Sequence, residues 1–266
     1  MSGAPPIDSR TPARATILLG QPALPDLVRL TAAARGLTGL VFSEHTPADD
    51  PTLMRLSSGS GPTLEVRLQP TPYQEMGRLL RGLTSPSDAE AEATSAHLEL
   101  SATGLAGDPR RRDALWARLT CAVLQAAPTA VAAKLDHGVM FHRADVFLRT
   151  VHSEQPGALP LGVCVDLSVA QEGGGQPVPL VTFLTHGMPR YGRQDLYITA
   201  PRPLAPDALE LSAFMVRKLY DAARDAFATG QEVGRTPKER LELKRTPSPI
   251  NPDATVVRLD LTKEEP

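Results

Sequence analysis

Residues 63–69, TLEVRLQ, alternate strictly: Leu64, Val66 and Leu68 fall on one side and Glu65 and Arg67 on the other. Side chains of a strand leave on opposite faces with a period of two, so this stretch requires a sheet with one dry face and one wet face. Sheets wet on one side are characteristically antiparallel, because parallel sheets are covered on both faces. The neighbouring segments must therefore supply partner strands and a layer that buries the dry face.

They read that way. RATILLG (14–20) has the apolar run of a short buried strand. ALPDLVRLTAAARG places Pro25 in a helix's first turn and Gly36 at its end. LTGLVFSE reads as a second strand. PYQEMGRLLRGL carries Tyr73, Met76, Leu79, Leu80 and Leu83 at helical spacing, although Gly77 weakens that helix. TSPSDAEAEATS is a hydrophilic connector, and AHLELSATGL is a strand with His97 and Glu99 on its polar side. The order is β-α-β-β-α-β, the ferredoxin-like order.

The second half restarts the pattern. Asp108 caps a helix with Pro109 at its first position, and Trp116, Leu119, Val123 and Ala126 share one face. AVAAKLDHGVMF reads as a strand and RADVFLRTVHSE as a short helix. LGVCVDLSV alternates as a strand with Leu161, Val163, Val165, Leu167 and Val169 on one face. LVTFLTH and DLYIT follow as strands, then APDALELSAFMVRKLYDAARDAFATG as a long helix with Asp207 near its start and Gly230 at its end. The expected fold class is α+β: two packed ferredoxin-like or related α/β sandwich halves with a mainly antiparallel sheet. The expected organisation is a flexible N-terminus over 1–13, a βαββα half over 14–94, a C-terminal α/β domain over 95–230, and a flexible tail over 231–266. The tail holds seven basic residues, seven acidic residues and five prolines, a composition that buries little. Within it, TVVRLDL has the pattern of an added edge strand.

A formal net charge of −2 over 266 residues lacks the basic surplus of a nucleic-acid or anionic-membrane binder. Cys121 and Cys164 each sit in an apolar run and read as small buried hydrophobes rather than a disulfide framework or zinc set. The start MSGAPPIDSRTPAR lacks the basic and apolar regions of a secretion signal, and no apolar run approaches a membrane span. The expectation is a soluble, cytoplasmic protein with reduced thiols.

The chemistry-bearing patterns are few. There is no Gly-x-Ser-x-Gly elbow, no phosphate loop, and no cysteine in a cationic setting with a histidine at fixed spacing. A covalent hydrolase or NTPase is disfavoured, and no cofactor is expected. DHGVMFHRAD gathers Asp136, His137, His142 and Asp145, and with His186 these are ligand types suited to zinc or iron. A metal-dependent enzyme is the alternative reading, and it requires these side chains to converge. His137 and His142 are five apart and would face opposite sides of a continuous strand, unless Gly138 bends it. The arginines of DPRRRD, at a helix start, are either a solvated first turn or a contact for an anion or acidic partner.

The loop THGMPRYGRQDLYI is more pointed. Pro189 suits a turn, and Gly187 and Gly192 suit positions of positive φ. A turn needs neither Met188 nor Tyr191; they either fold back as a plug, the favoured reading, or face a partner. Arg190 and Arg193 suit a carboxylate, a phosphate or an acidic protein surface. The candidate binding residues are therefore His186, Gly187, Met188, Arg190, Tyr191, Gly192, Arg193 and Asp195, with a protein as the expected partner.

GMPRYGRQDL, with AHLELSA and PTAVAAKLDHGVMFH before it, resembles the bacterial family called domain of unknown function 4261, over about residues 95–228. Tyr191 stands where the family pattern has Phe, and Asp195 where it has Glu. The resemblance implies neither a cofactor nor a catalytic residue. Some members of that family look like accessory or immunity-type proteins of bacterial conflict systems; with the loop, the expected function is a non-enzymatic binding or immunity-type accessory module.

Overall fold

The computed structural model describes residues 11–59, 61–76, 79–105, 107–172, 178–222, 229–236 and 239–261. The chain divides after Cys164 into two compact units, Ser2–Cys164 and Val165–Pro266. The class is α+β with mostly antiparallel sheets, as the periodicities require.

The N-terminal unit runs β1 (Ala13–Leu19), α1 (Leu27–Thr38), β2 (Ser43–Glu44), β3 (Leu53–Ser57), β4 (Thr63–Gln69), α2 (Asp88–Glu92), β5 (Ala96–Thr103), α3 (Pro109–Ala126), β6 (Ala130–Leu135), β7 (His142–Arg143), α4 (Ala144–Ser153) and α5 (Leu161–Cys164). Its seven strands form one sheet in the order β2-β3-β4-β5-β1-β6-β7. β1 lies antiparallel between β5 and β6, so β5 and β6 point the same way and α3 carries the crossover between them. This is a split β-α-β with β1 inserted. Every neighbouring pair in the sheet is antiparallel, as the expected mainly antiparallel sheet requires, but the strands number seven and β2, β3 and β4 lie side by side as a meander. Since β5 bonds to both β4 and β1, the boundary expected between residues 94 and 95 would cut this sheet, and it moves to Cys164.

The dry face carries Ala15, Ile17, Leu64, Val66, Leu98 and Leu100, all buried. α3 lies against β1 and β6 and is contacted by α1, α4 and α5. Its start follows the sequence reading: the Asp108 carboxylate accepts from the backbone N–H of Arg110 and Arg111, with Pro109 inside the first turn. Trp116 is fully buried, and its Nε1 donates to the Arg14 carbonyl at 3.0 Å. Of the DPRRRD arginines, Arg112 is buried and donates to the Thr11 carbonyl at 2.8 Å. α1 begins at the Asp26 cap and ends at Gly39, in the left-handed conformation, three residues past the expected Gly36.

Two expected elements do not form. Among the described residues of 72–83 there is no α-helix. The backbone there bonds elsewhere: Leu80 N–H donates to the Val139 carbonyl at 3.1 Å, and the Thr84 carbonyl accepts from Arg143 at 2.8 Å. Tyr73, Met76 and Leu79 instead pack over Leu18, Ala132 and Phe141. Residues 161–164 are a helical turn, not a strand, because the N–H groups of Val163 and Cys164 both turn back to the Pro160 carbonyl at 3.1 Å.

The C-terminal unit contains β8 (Asp166–Glu172), β9 (Leu180–His186), β10 (Leu196–Pro201), α6 (Ala205–Asp221), β11 (Glu232–Val233), β12 (Leu241–Glu242), β13 (Lys244–Pro247) and β14 (Thr255–Asp260). Five strands make a sheet in the order β13-β14-β10-β9-β8, and α6 packs on β10 and β9. β14 runs parallel to β10 and buries Val256, Val257 and Leu259. The tail expected to be flexible over 231–266 thus contributes an interior strand. Balanced charge hid it, because the apolar residues of TVVRLDL are concentrated in one short run. Residues 1–10 and 262–266, at the ends of the expected flexible segments, lie outside the described residues. Among the described residues, no helix is long and apolar enough to cross a membrane. Cys121 and Cys164 are free and buried, and burial pushes the Cys121 thiol up to about 12 despite the nearby Arg118.

Candidate functional site

The hairpin between β9 and β10 is built as the sequence indicates. Gly187 and Gly192 take φ of 113° and 71°, values that cost a side-chain-bearing residue. Between them Met188–Tyr191 forms one 3-10 turn. Met188 is fully buried and Tyr191 is 5% exposed, with its ring edge-on to Tyr220 at 5.9 Å. The plug reading is correct for both.

The polar residues of the loop are largely engaged within the unit. Arg193 donates from Nε to the Leu219 carbonyl at 2.8 Å and from Nη2 to the Ala222 carbonyl at 2.5 Å. It therefore closes the last turn of α6, where carbonyls lack intrahelical partners and cations are favoured. Asp195 Oδ1 accepts from Thr185 Oγ1 at 3.1 Å and from the Met188 N–H at 3.2 Å. Burial pushes the Asp195 carboxyl up to about 6, against these two hydrogen bonds. His186 stands opposite Asp166 in the β8–β9 register, and its Nε2 lies 2.8 Å from Ser168 Oγ. Desolvation lowers its pKa, partly opposed by Asp166. Pro189 is exposed and Arg190 half-buried.

The histidine and aspartate set does not assemble as a metal site. Among the described residues, which include all five candidates, no three His, Cys, Asp or Glu side chains gather to hold an ion. Asp136 accepts from the His137 backbone at 3.0 Å. Buried His142 pairs its Nδ1 with Thr84 Oγ1 at 2.8 Å. Asp145 takes a two-pronged bond from Arg143, 3.0 Å on each arm. Local partners engage Asp136, His142, Asp145 and His186, whereas the ring nitrogens of His137 are buried without a hydrogen bond among the described residues, Nδ1 lying 3.4 Å from Asp136.

A concave site lies elsewhere, on the wet face of the N-terminal sheet. The alternation of β1, β4 and β5 that buries Ile17, Val66 and Leu100 turns Arg14, Thr16, Glu65, Arg67, Glu99 and Ser101 to the opposite side. The described residues of 70–84 fold over one end of that face, Tyr73, Met76 and Leu79 packing on Leu18, Ala132 and Phe141. Tyr73 meets His97 edge-on at 5.4 Å and Phe141 at 5.5 Å, and its hydroxyl donates to Glu75 at 3.2 Å. Between this overhang and the strands is a cleft of about 530 Å³ lined by Arg14, Glu65, Arg67, Tyr73, Glu75 and Glu99, among others. That volume is within the usual range of small-molecule sites.

The charges in the cleft are mixed and held apart. Glu65 is held by Arg55 at 2.6 Å. Arg67 and Glu99 are direct cross-strand partners, the geometry in which opposite charges normally pair. Arg67 instead reaches Asp50 at 3.1 Å, and Glu99 accepts from Gln69 at 3.0 Å. Their side chains are 44% and 56% exposed. The Arg14 backbone is fixed by two donors to its carbonyl, Trp116 Nε1 and the Asp136 N–H, and the residue lines the cleft. Burial, then Glu75 and Glu99, raise the Tyr73 pKa and keep its phenol protonated. Sequence alternation alone marks Glu65, Arg67 and Glu99 as wet-face residues. Their gathering depends on strand register and on the overhang, which local pattern does not encode.

Compared with family models, curated proteins and solved structures, the chain has no match.

Proposed function

We propose that the chain is a non-enzymatic binding module and that its binding seat is the cleft on the wet face of the N-terminal sheet. The observation that carries this is the separation of Arg67 from Glu99: two facing, opposite charges that each reach another partner, Asp50 for Arg67 and Gln69 for Glu99, with His97 Nε2 3.9 Å from Glu99. Such contacts are worth at most about 1 kcal/mol each, so a ligand exchanges for them at small cost. In the hairpin, by contrast, Met188, Tyr191, Arg193 and Asp195 are committed to the fold. A thermal-shift screen of the purified chain against a library of small polar metabolites tests the reading. At least one compound should raise the melting midpoint, and the shift should vanish in Arg67→Met or Glu99→Gln. A library that leaves the midpoint unmoved defeats the proposal.

The immunity-type role and the kinship with family 4261 belong to the same proposal. Their support is the GMPRYGRQDL loop itself, in which Pro189 is exposed and Arg190 half-buried. A protein partner docking there should be lost from pull-downs in Arg190→Ala while the melting curve stays cooperative.

A further inference from the structure

We propose that the cleft binds a free α-amino acid, its carboxylate on Arg67 and its ammonium on Glu99. This rests on the cleft being the binding seat, and it adds the ligand's chemistry.

The argument starts from spacing. Facing residues on neighbouring strands are about 5 Å apart at the backbone. Arg67 and Glu99 therefore present a cation and an anion side by side, on one face, with their mutual contact open. An α-amino acid carries a carboxylate and an ammonium on the same carbon, an arrangement complementary to such a pair. A purely anionic ligand would set its charge against Glu99, Glu75 and Glu65, and a purely cationic one against Arg14 and Arg67. Like-charge juxtaposition is a means of rejecting wrong partners, so the mixed lining selects a zwitterion over either. The guanidinium fork suits a planar carboxylate.

The rest of the cleft gives the ligand side chain its surroundings. Leu53 faces Arg67 across the β3–β4 ladder. Tyr73 borders the opening, its hydroxyl turned to Glu75. Thr16 and Ser101 supply hydroxyls on the floor and Arg14 a second cation; among the described residues no acidic group holds Arg14 in an ion pair. A polar side chain fits these surroundings better than a large aliphatic one.

Titration calorimetry on the full chain, using each of the twenty free L-amino acids, tests the proposal. A binder should be compared with its methyl ester, which removes the carboxylate, and its N-acetyl derivative, which removes the ammonium. At least one free amino acid should bind, and both derivatives should fail. Glu99→Gln and Arg67→Met should each weaken it by about tenfold to a hundredfold, the loss expected for one charge-assisted hydrogen bond. Both positions are exposed, and the apo variants should melt with the wild type. Equal affinity for the N-acetyl derivative, or affinity unchanged in both variants, overturns the proposal. So does absence of heat with all twenty. If a compound of another class binds and depends on Arg67 and Glu99, the cleft remains the seat and the amino-acid proposal fails alone.

Discussion

Arg193 Nε lies 2.8 Å from the carbonyl oxygen of Leu219, so an arginine of the β9–β10 hairpin terminates a helix that begins four residues after the hairpin ends. A second arm reaches the Ala222 carbonyl. Removing the guanidinium leaves these carbonyls unpaired at the negative end of the helix dipole. Arg193→Ala should lower the unfolding free energy by about 2 kcal/mol in urea titration. Arg193→Lys should recover only part, since an ammonium lacks the planar fork. An alanine variant with the wild-type midpoint would refute the role. A double substitution of Arg190 and Arg193 is consequently a poor probe of partner binding, because half of it attacks the fold.

Asp195 makes the same hairpin pH-dependent. Its folded pKa, about 6, stands above the ordinary 3.8 because of burial. Between those values the unfolded chain has released the proton and the folded chain retains it, so stability falls as pH rises. The contribution is fully present below 3.8 and lost by about pH 6. Asp195→Asn keeps an oxygen for Thr185 and Met188 but cannot ionise. The stability of wild type minus that of Asp195→Asn should therefore drop by about 3 kcal/mol from pH 3.5 to pH 7. Urea midpoints at the two values measure it, and a difference that is flat or rises with pH would show that the carboxyl is not desolvated.

The turn itself was legible in the sequence, because glycine, proline and the flanking apolar runs act locally. Alternation in TLEVRLQ and AHLELSA likewise gave the two faces of β4 and β5, and Asp108 with Pro109 gave the start of α3. What local pattern does not carry is competition between partners. The helical spacing of Tyr73, Met76 and Leu79 is real, yet the backbone that follows, at Leu80 and Thr84, is bonded to Val139 and Arg143, and the three side chains cover Leu18. Leu161, Val163 and Val165 alternate, yet a proline carbonyl winds the first of them into a turn. The cleft was illegible for the same reason: Arg14, Arg67 and Glu99 come from three strands whose order, β4-β5-β1, is set by long-range pairing. The metal reading had suitable ligand types, but their side chains are not gathered in threes among the described residues.

The two hairpin glycines are not equivalent. Gly192, with φ 71° and ψ 26°, occupies the ordinary left-handed well and has no atom within 4 Å of an added Cβ. Gly187, at φ 113° and ψ −10°, lies beyond that well, where a Cβ is more strained. Gly192→Ala should cost about 1 kcal/mol and Gly192→Asn less. Gly187→Ala should cost about 2–3 kcal/mol. Thermal melts of the three variants rank them, and a Gly187→Ala variant as stable as Gly192→Asn would contradict the backbone geometry.

The sharpest difference between local reading and structure is at the C-terminus, and truncation tests it. β14 lies between β10 and β13 and buries Val256, Val257 and Leu259 at 2%, 2% and 0% exposure. Burying each such side chain is worth about 1.5–3 kcal/mol, so the three together rival a typical domain's whole net stability of about 5–15 kcal/mol. Their removal also frees the edge of β10, whose backbone N–H and C=O groups then lack partners and invite association. A chain ending at Ile250 should lose the cooperative melt of the C-terminal unit and enter the insoluble fraction. A chain ending at Leu261 keeps β14 whole and should melt like the full-length protein. Val257→Ser in the intact chain should fall between the two, lowering the midpoint without abolishing the transition. If the chain ending at Ile250 melts as the full chain does, then residues 251–266 are the dispensable extension that their composition implied.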